Sequence, residues 1–311
     1  MASVLQSDEI ESYRAACVLA IGIFDGLHLG HKKVLQTARE MAAQTGAHAC
    51  VLTFDPHPSR VVPTGADYVE MIYPPELRAA KFAANGIECI FFKSFDRDFA
   101  ALTPDEFAEF LKKKFPNLRG IVTGGNFLFG RKAAGNAQTL AQICRENGWK
   151  YAAVDGVESG GGRVSSTRLR GLLCAGDMAE YARLAGENYA AYGEVVGGKK
   201  LGRTIGFPTL NLPWSPQCKP PYGVYAVRLV DSKGKAFDGV ANYGAEPSVG
   251  GLVEPLLETH LFATPNFGEG EKIKVEFLKF LRPEKKFPNL ESLTAQIKAD
   301  CDEAKSVLSG K

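Results

Sequence analysis

From Cys17 to about residue 155 the chain alternates short apolar runs with stretches of helical spacing. The runs are CVLAIGIF, HACVLTF, GIECIFF, GIVTGG and KYAAVDGV, and the stretches between them include HKKVLQTAREMAAQ and PDEFAEFLKKKF. This alternation predicts an α/β domain, a parallel sheet with helices on its faces. Ligands of such sheets sit beyond the carboxyl ends of the strands. The loops at 24–31, 54–60, 124–136 and 156–168 are therefore expected to converge.

After a predicted helix pair at about 166–185 the pattern changes to short β-rich runs punctuated by Gly and Pro: AAYGEVVG, GVYAVRLV, FDGVANYG, PLLETHLFA and EKIKVEFLKFL. Strands at this spacing without intervening helices predict an antiparallel β-barrel. The change divides the chain near Glu187, into residues 1–186 and 187–311. In the tail NLESLTAQIKADCDEAKSVL, apolar positions at Leu290, Leu293 and Ile297 predict a helix that closes the barrel. No repeat or low-complexity segment interrupts either half.

Composition adds mainly exclusions. A chain of 311 residues exceeds the usual size of one core, so two domains are the prior. Lys and Arg total 37 against 35 Asp and Glu, a net charge of +2 with no long run of one sign. Neither a nucleic acid nor a membrane is expected as partner. The seven cysteines are scattered and never spaced C-x-x-C, which argues against a disulfide framework or zinc site and fits a reducing cytosol. The first residues carry Asp8, Glu9 and Glu11 where a leader would be basic, and no apolar run reaches the roughly 20 residues of a spanning helix. A cytoplasmic location is the expectation; the sequence is silent on oligomeric state.

The string GIFDGLHLGH, residues 22–31, follows the first predicted strand and opens a helix near Leu29. His28 and His31 fall on one face of the first turn, where unpaired backbone N–H groups and the helix dipole favour an anion. Gly22, Gly26 and Gly30 let a phosphate chain approach the backbone, and Phe24 lies within the same turn. A histidine pair three residues apart also occurs in metal sites and on plain surfaces, but no third ligand lies nearby and H-E-x-x-H is absent. Asp25 is read either as a water-mediated metal contact or as a helix cap. Further along, Ser166 and Thr167 in an SST sequence precede Arg168, so hydroxyls, N–H groups and a guanidinium can face an anion, or SST can simply cap a helix.

The ten-residue string resembles the His-x-Gly-His signature of nucleotidyltransferases. Together with TFDPHPSRVV (53–62), GGNFLFGRKAAGN (124–136) and the glycines at 160–162 running into RVSSTRLR, it resembles the prokaryotic bifunctional FAD synthetase family. That resemblance implies a Rossmann-like nucleotidyltransferase domain in which His28 and His31 hold the ATP phosphates. It sets Asn126 where flavin phosphate meets ATP, and Ser166, Thr167 and Arg168, joined by Arg163, in a second phosphate-binding turn. Phe54 is assigned to flavin contact, with core packing as the other reading; Phe95, Phe99 and Phe107 are read as packing.

In the second half KKLGRTIGFPTLNL, residues 199–212, combines a loop permitted by Gly202 and Gly206 with an extended segment that sets Thr209 and Asn211 two apart. Such hard oxygen ligands suit Mg²⁺ carried by a nucleotide, and no Walker loop is present. The string resembles the Pro-Thr-x-Asn motif of riboflavin kinases and is followed by PPYGVYAV, GVANYG and LLETHLF. The resemblance implies that Thr209 and Asn211 ligate or orient Mg-ATP, that Glu258 is the base for the riboflavin 5′-hydroxyl, and that Arg282 lies near a flap over the flavin. His260 shares a strand face with Glu258. The family pattern changes at Glu246–Pro247–Ser248 and at NFGEG (266–270).

The reading of the whole is FAD biosynthesis: riboflavin and ATP give FMN, and FMN and ATP give FAD and pyrophosphate, with ATP, riboflavin and FMN as the small-molecule partners. The alternative keeps only the adenylyltransferase, with the barrel as a flavin-binding regulatory module.

Overall fold

The computed structural model describes residues 3–6, 11–62, 68–198, 201–247 and 253–310. Two units emerge, Met1–Arg168 and Leu169–Lys311. The helical segment before the barrel falls with the second unit because Tyr181 lies edge-on to Tyr189 at 5.4 Å on the first barrel strand.

The first unit contains β1 (Ser3–Gln6), β2 (Cys17–Ile21), α1 (Leu29–Thr45), β3 (His48–Asp55), α2 (Pro75–Ala84), β4 (Cys89–Ser94), α3 (Arg97–Ala100), α4 (Pro104–Lys114), β5 (Leu118–Gly124), α5 (Ala137–Glu146), β6 (Lys150–Val154) and the start of α6 (Ser166–Ala175). The six strands form one parallel sheet in the order β1-β4-β3-β2-β5-β6. Alternate residues of the same strand go to opposite faces. Leu19, Leu52 and Phe91 pack with Phe107, Leu111 and Leu140 of α4 and α5, whereas Val18, Val51 and Ile90 pack with Leu35, Ala38 and Phe82 of α1 and α2. Both faces are covered, which is why the strands read as unbroken apolar runs. Each of the larger of these side chains, from valine upward, contributes about 1.5–3 kcal/mol on burial.

Local signals set the helices. Thr103 Oγ1 accepts the Glu106 N–H at 3.3 Å while the Glu106 carboxylate accepts the Thr103 N–H at 2.8 Å, a capping box ahead of Pro104. Asn136 caps α5 through the N–H groups of Gln138 and Thr139, each at 3.0 Å. β2 pairs with β3 on one side and β5 on the other, so strand order reverses there. The crevice beyond the ends of β2 and β5 is the expected ligand position.

The second unit continues with α7 (Met178–Ala185), β7 (Tyr189–Glu194), α8 (Leu201–Thr204), β8 (Leu210–Pro213), β9 (Gly223–Val230), β10 (Ala236–Pro247), β11 (Val253–Leu261), β12 (Lys272–Pro283) and α9 (Leu290–Leu308). Its strands run antiparallel in the order β7-β12-β9-β10-β11-β8. The sheet nearly closes, since a side-chain carbon at Gly193 of β7 would lie 2.6 Å from Leu212 of β8, and Val196 bridges to Asn211. Tyr225, Val227, Tyr243, Leu257, Val275 and Phe277 fill the interior. α9 covers the barrel with Cys301 and Ala304 against Val224, Ala226 and Val240. Among the described residues no helix is long and apolar enough to cross a membrane.

Candidate active sites

The first site is built on the turn between β2 and α1. His28 is the N-cap of α1, and its Nδ1 accepts the His31 N–H at 3.3 Å. With Nδ1 acting as acceptor, the proton of neutral His28 resides on Nε2, a donor at the helix N-terminus. The rings of His28 and His31 stack with centroids 3.6 Å apart and planes at 18°. That stack depends on Gly30, where a Cβ would press on His28 Cε1 at 3.1 Å. Phe24, itself buried, props His31 edge-on at 5.3 Å.

Burial, reinforced by the nearby Arg163 charge, lowers the pKa of His28 to about 4. Burial and then His28 hold His31 well below the usual histidine range. Both imidazoles are neutral at pH 7. Among the described residues, His31 Nδ1 is buried without a hydrogen-bond partner, a polar atom that a bound ligand can satisfy.

The 156–168 loop, one of those expected to converge, meets this turn. Ser166 Oγ donates to the Asp25 carbonyl at 2.8 Å, joining α6 to it. Arg163 is exposed and close enough to act on His28. Asn126 is exposed in the turn after β5, on the other side of the strand-order reversal. Thr167 is exposed in the first turn of α6, which Ser165 caps by accepting the Arg168 N–H at 3.3 Å.

Three residues depart from the roles first assigned to them, Phe54 by taking its packing alternative. Arg168 directs its guanidinium to the carbonyls of Ser159, Gly160 and Gly162 at 2.6, 3.0 and 3.2 Å, so it organises the glycine-rich turn. Asp25 is buried and its carboxylate accepts the Ile72 N–H at 2.9 Å; it neither caps α1 nor lies open to solvent. Phe54 is buried in an aromatic cluster, 5.8 Å from Phe95 and 5.7 Å from Phe99. It is a packing position because β3 is an interior strand covered on both faces.

The second site lies on the barrel. Asn211 of β8 pairs in register with Glu258 of β11, which pairs in turn with Asn242 of β10. This forms a polar row across three strands. Leu257, Thr259 and Leu261 take the buried side of β11, while Glu258 and His260 share the other, half-buried side. Glu258 is therefore not enclosed among the leucines, as a side chain directed to the interior would be.

His260 Nδ1 donates to the Pro208 carbonyl at 2.9 Å and ties the GFPT turn to β11. Gly202 overlies the same turn, where a Cβ would meet the Phe207 carbonyl and approach Thr209 Oγ1 to 3.7 Å. Thr209 is exposed, whereas Asn211 is 7% exposed with Oδ1 buried and, among the described residues, without a partner. A buried oxygen without a partner among the described residues, two positions along the chain from a threonine hydroxyl, fits a hard cation such as Mg²⁺. Among the described residues no cluster of three or more His, Cys, Asp or Glu side chains offers a metal cage, so the protein supplies only part of such a coordination shell.

Arg282 makes a two-point pair with Asp300 of α9, Nε to Oδ1 at 2.9 Å and a terminal nitrogen to Oδ2 at 2.7 Å, and donates to the Pro283 carbonyl. Its guanidinium joins β12 to the closing helix. NFGEG forms the turn into β12, with Phe267 edge-on to Phe237 at 5.5 Å. In the other changed segment, Ser248 lies outside the described residues, as do the side chains of Glu246 and Pro247; Lys199 and Lys200, at the head of the 199–212 string, lie outside them too.

Comparison with known proteins agrees in both halves. The FAD synthetase family model matches residues 10–168 and the riboflavin kinase model residues 185–308. The bifunctional riboflavin kinase/FMN adenylyltransferase of Haemophilus influenzae is 34% identical over 93% of this chain and 94% of that protein. The Escherichia coli K12 protein of the same name is 36% identical over 91% and 90%, and that of Bacillus subtilis 34% over 95% and 93%. A solved structure from Streptococcus pneumoniae, named as a macrolide-efflux protein, superposes with a TM-score of 0.82 at 28% identity, covering 96% of this chain and 97% of that one. With both family models matched in order and the relatives aligned nearly end to end, the chain belongs to the bifunctional riboflavin kinase/FMN adenylyltransferase family and makes FAD from riboflavin and ATP in two steps.

Proposed function

We propose that residues 1–186 carry adenylyl transfer and residues 187–311 carry riboflavin phosphorylation, each at the polar cluster described above. What supports this reading is a buried polar atom in each half that lacks a partner among the described residues, His31 Nδ1 on the ring stacked against His28 and Asn211 Oδ1 on the strand paired with Glu258.

In adenylyl transfer a phosphate oxygen of FMN attacks the α-phosphorus of ATP and pyrophosphate leaves. No protein nucleophile is needed, so the residues act by positioning and by stabilising charge. His28 donates from Nε2 to the phosphates, together with the free N–H groups of α1. Arg163 adds a charge beside His28, Thr167 offers a hydroxyl and Asn126 orients the flavin phosphate. Ser166 and Arg168 act one step back, holding the Asp25 carbonyl and the glycine-rich turn.

In the kinase half Glu258 accepts the proton of the riboflavin 5′-hydroxyl as that oxygen takes the γ-phosphoryl group. Asn211, opposite Glu258, and Thr209 would hold Mg²⁺ with the nucleotide. When bound, the ion would neutralise charge on the phosphate oxygens. The scattered cysteines and the lack of a basic stripe support a cytoplasmic enzyme of small molecules.

The test is a chromatographic assay that resolves FMN from FAD. His28→Ala is expected to form FMN from riboflavin and stop there; Glu258→Ala is expected to make FAD from supplied FMN but not from riboflavin. Loss of both activities in either variant, or full FAD synthesis by His28→Ala, refutes the assignment.

A further inference from the structure

Beneath the histidine turn lies a charged side chain that the reaction itself does not require. Arg78 of α2 is 0% exposed. One terminal nitrogen donates to the Ile23 carbonyl, Thr53 Oγ1 and the Phe54 carbonyl at 3.2, 3.3 and 3.2 Å. The other pairs with the Asp55 carboxylate at 3.0 Å. The guanidinium also lies 5.2 Å from the Phe92 ring centroid. Ile23 begins the turn that ends at His28, and Phe54 and Asp55 end β3. A single group therefore joins the carboxyl ends of two neighbouring strands.

The turn it holds is under strain. Phe24 has φ 55° and Leu27 φ 38°, left-handed conformations that glycine adopts freely and these residues do not. Each costs about 1–3 kcal/mol and persists only where the surroundings enforce it. The enforcement is visible atom by atom. Thr53 Oγ1 joins Arg78 on the Ile23 carbonyl at 3.1 Å, the Leu27 N–H reaches the Phe24 carbonyl at 3.4 Å, and Ser166 holds the Asp25 carbonyl.

Packing alone does not explain an arginine here. Taking a guanidinium out of water costs several kcal/mol, and apolar residues of similar volume commonly do as well or better in a core. Asp55, then Asp25 and Glu76, offset the charge, and Arg78 Nε is buried without a partner among the described residues. The cost is borne at the strained turn that carries His28.

We propose that Arg78 is a positioning residue of the adenylyl-transfer site: its buried guanidinium fixes the Ile23–Leu27 turn to the end of β3 and so sets where His28 stands. The inference rests on the reading of His28 given under Proposed function.

The test uses the full chain with Arg78→Met, which keeps much of the volume, and Arg78→Lys, whose single nitrogen cannot reach Ile23 and Asp55 as the fork does. A misplacement near 1 Å costs on the order of 100-fold, so FAD formation from FMN is expected to fall roughly 10- to 100-fold in kcat, with a smaller change in KM. Riboflavin phosphorylation should not change, and it serves as the control in the same molecule. The ring proton resonances of His28 should titrate above about 4, toward the ordinary value, as the loosened turn admits water. Arg78→Lys should show a smaller loss in the same direction, and it decides the matter if Arg78→Met does not fold. A folded variant with unchanged kcat and unchanged His28 titration overturns the proposal, as does a rate loss without any titration change. If His28→Ala itself retains adenylyl transfer, the reading of the site fails; if it does not, a negative result with Arg78 removes only the positioning role.

Discussion

Gly198→Ala is the sharpest probe of the kinase site. Gly198 lies beyond β7 against the side chain of Asn211, and its backbone is outside the left-handed region, so alanine is conformationally allowed. The added Cβ would lie 2.9 Å from Asn211 Cγ and would overlap Nδ2. Ordinary contacts between carbon atoms begin at about 3.5 Å, so the carboxamide has to retreat by roughly 1 Å. Asn211 is nearly buried and its strand is paired on Glu258, so the carboxamide cannot retreat without moving Oδ1, the atom proposed to hold the cation of the nucleotide. A displacement of that size at a positioned group costs on the order of 100-fold, or about 2.7 kcal/mol in the barrier. The substitution also narrows the unfolded ensemble, an effect of about 0.4–1 kcal/mol in favour of folding that offsets part of the clash. The expected outcome is a kinase kcat reduced about 100-fold, FAD formation from supplied FMN at the wild-type rate and a nearly unchanged melting temperature. Phosphorylation of riboflavin within about twofold of wild type, a difference of only ~0.4 kcal/mol, would show that Asn211 does not hold the nucleotide.

The division of labour between His28 and Glu258 is the second expectation, read by the FMN and FAD assay described above. A third concerns pH. His28 titrates near 4 when folded and near the ordinary 6.5 when unfolded, so as pH falls below 6.5 the unfolded chain takes up a proton that the native one refuses. His28 alone should take up to about 3 kcal/mol from the stability of the first unit between pH 6.5 and 4, because each tenfold difference in proton affinity between the two states is worth about 1.4 kcal/mol, and the buried His31 adds a loss of the same sign. Urea unfolding followed by Trp149 fluorescence in a Trp214→Phe background checks this; His28→Gln should make the dependence shallower, leaving the share of His31, and a curve parallel to wild type refutes it. A fourth concerns Arg282→Ala, which leaves Asp300, only 4% exposed, without its two-point partner. The second unit should lose about 3 kcal/mol in denaturant unfolding, because a buried carboxylate has lost its countercharge. A loss confined to flavin affinity, with stability unchanged, would instead favour the flap role.

How much is legible in the sequence depends on whether a signal is local. The His28–Gly30–His31 cap, the Thr103–Pro104–Glu106 capping box and the strand runs each lie within a few residues, where periodicity and capping chemistry act directly. β1, of four residues, is not legible there, because it is too short to show a period; α2 is opened by Pro75 but has no side-chain cap and is held by packing on the sheet. Glu258 and Asn211 stand out as motif residues, but their pairing across β8 and β11 does not, since register depends on which strands meet.

The sequence by itself determined the class of each half and the order of the two families along the chain, because those follow from local spacing and from motifs that chemistry constrains. Tertiary structure alone decided what the charged side chains do. Arg168 holds carbonyls of a glycine turn, Arg282 an aspartate on the closing helix and Arg78 two strand ends, although the motifs point Arg168 to an anion, set Arg282 near a flap and leave Arg78 outside any motif. An arginine's reach is long and its five donors take whichever oxygens the fold brings near, so its partner is fixed by three-dimensional proximity and not by its neighbours along the chain.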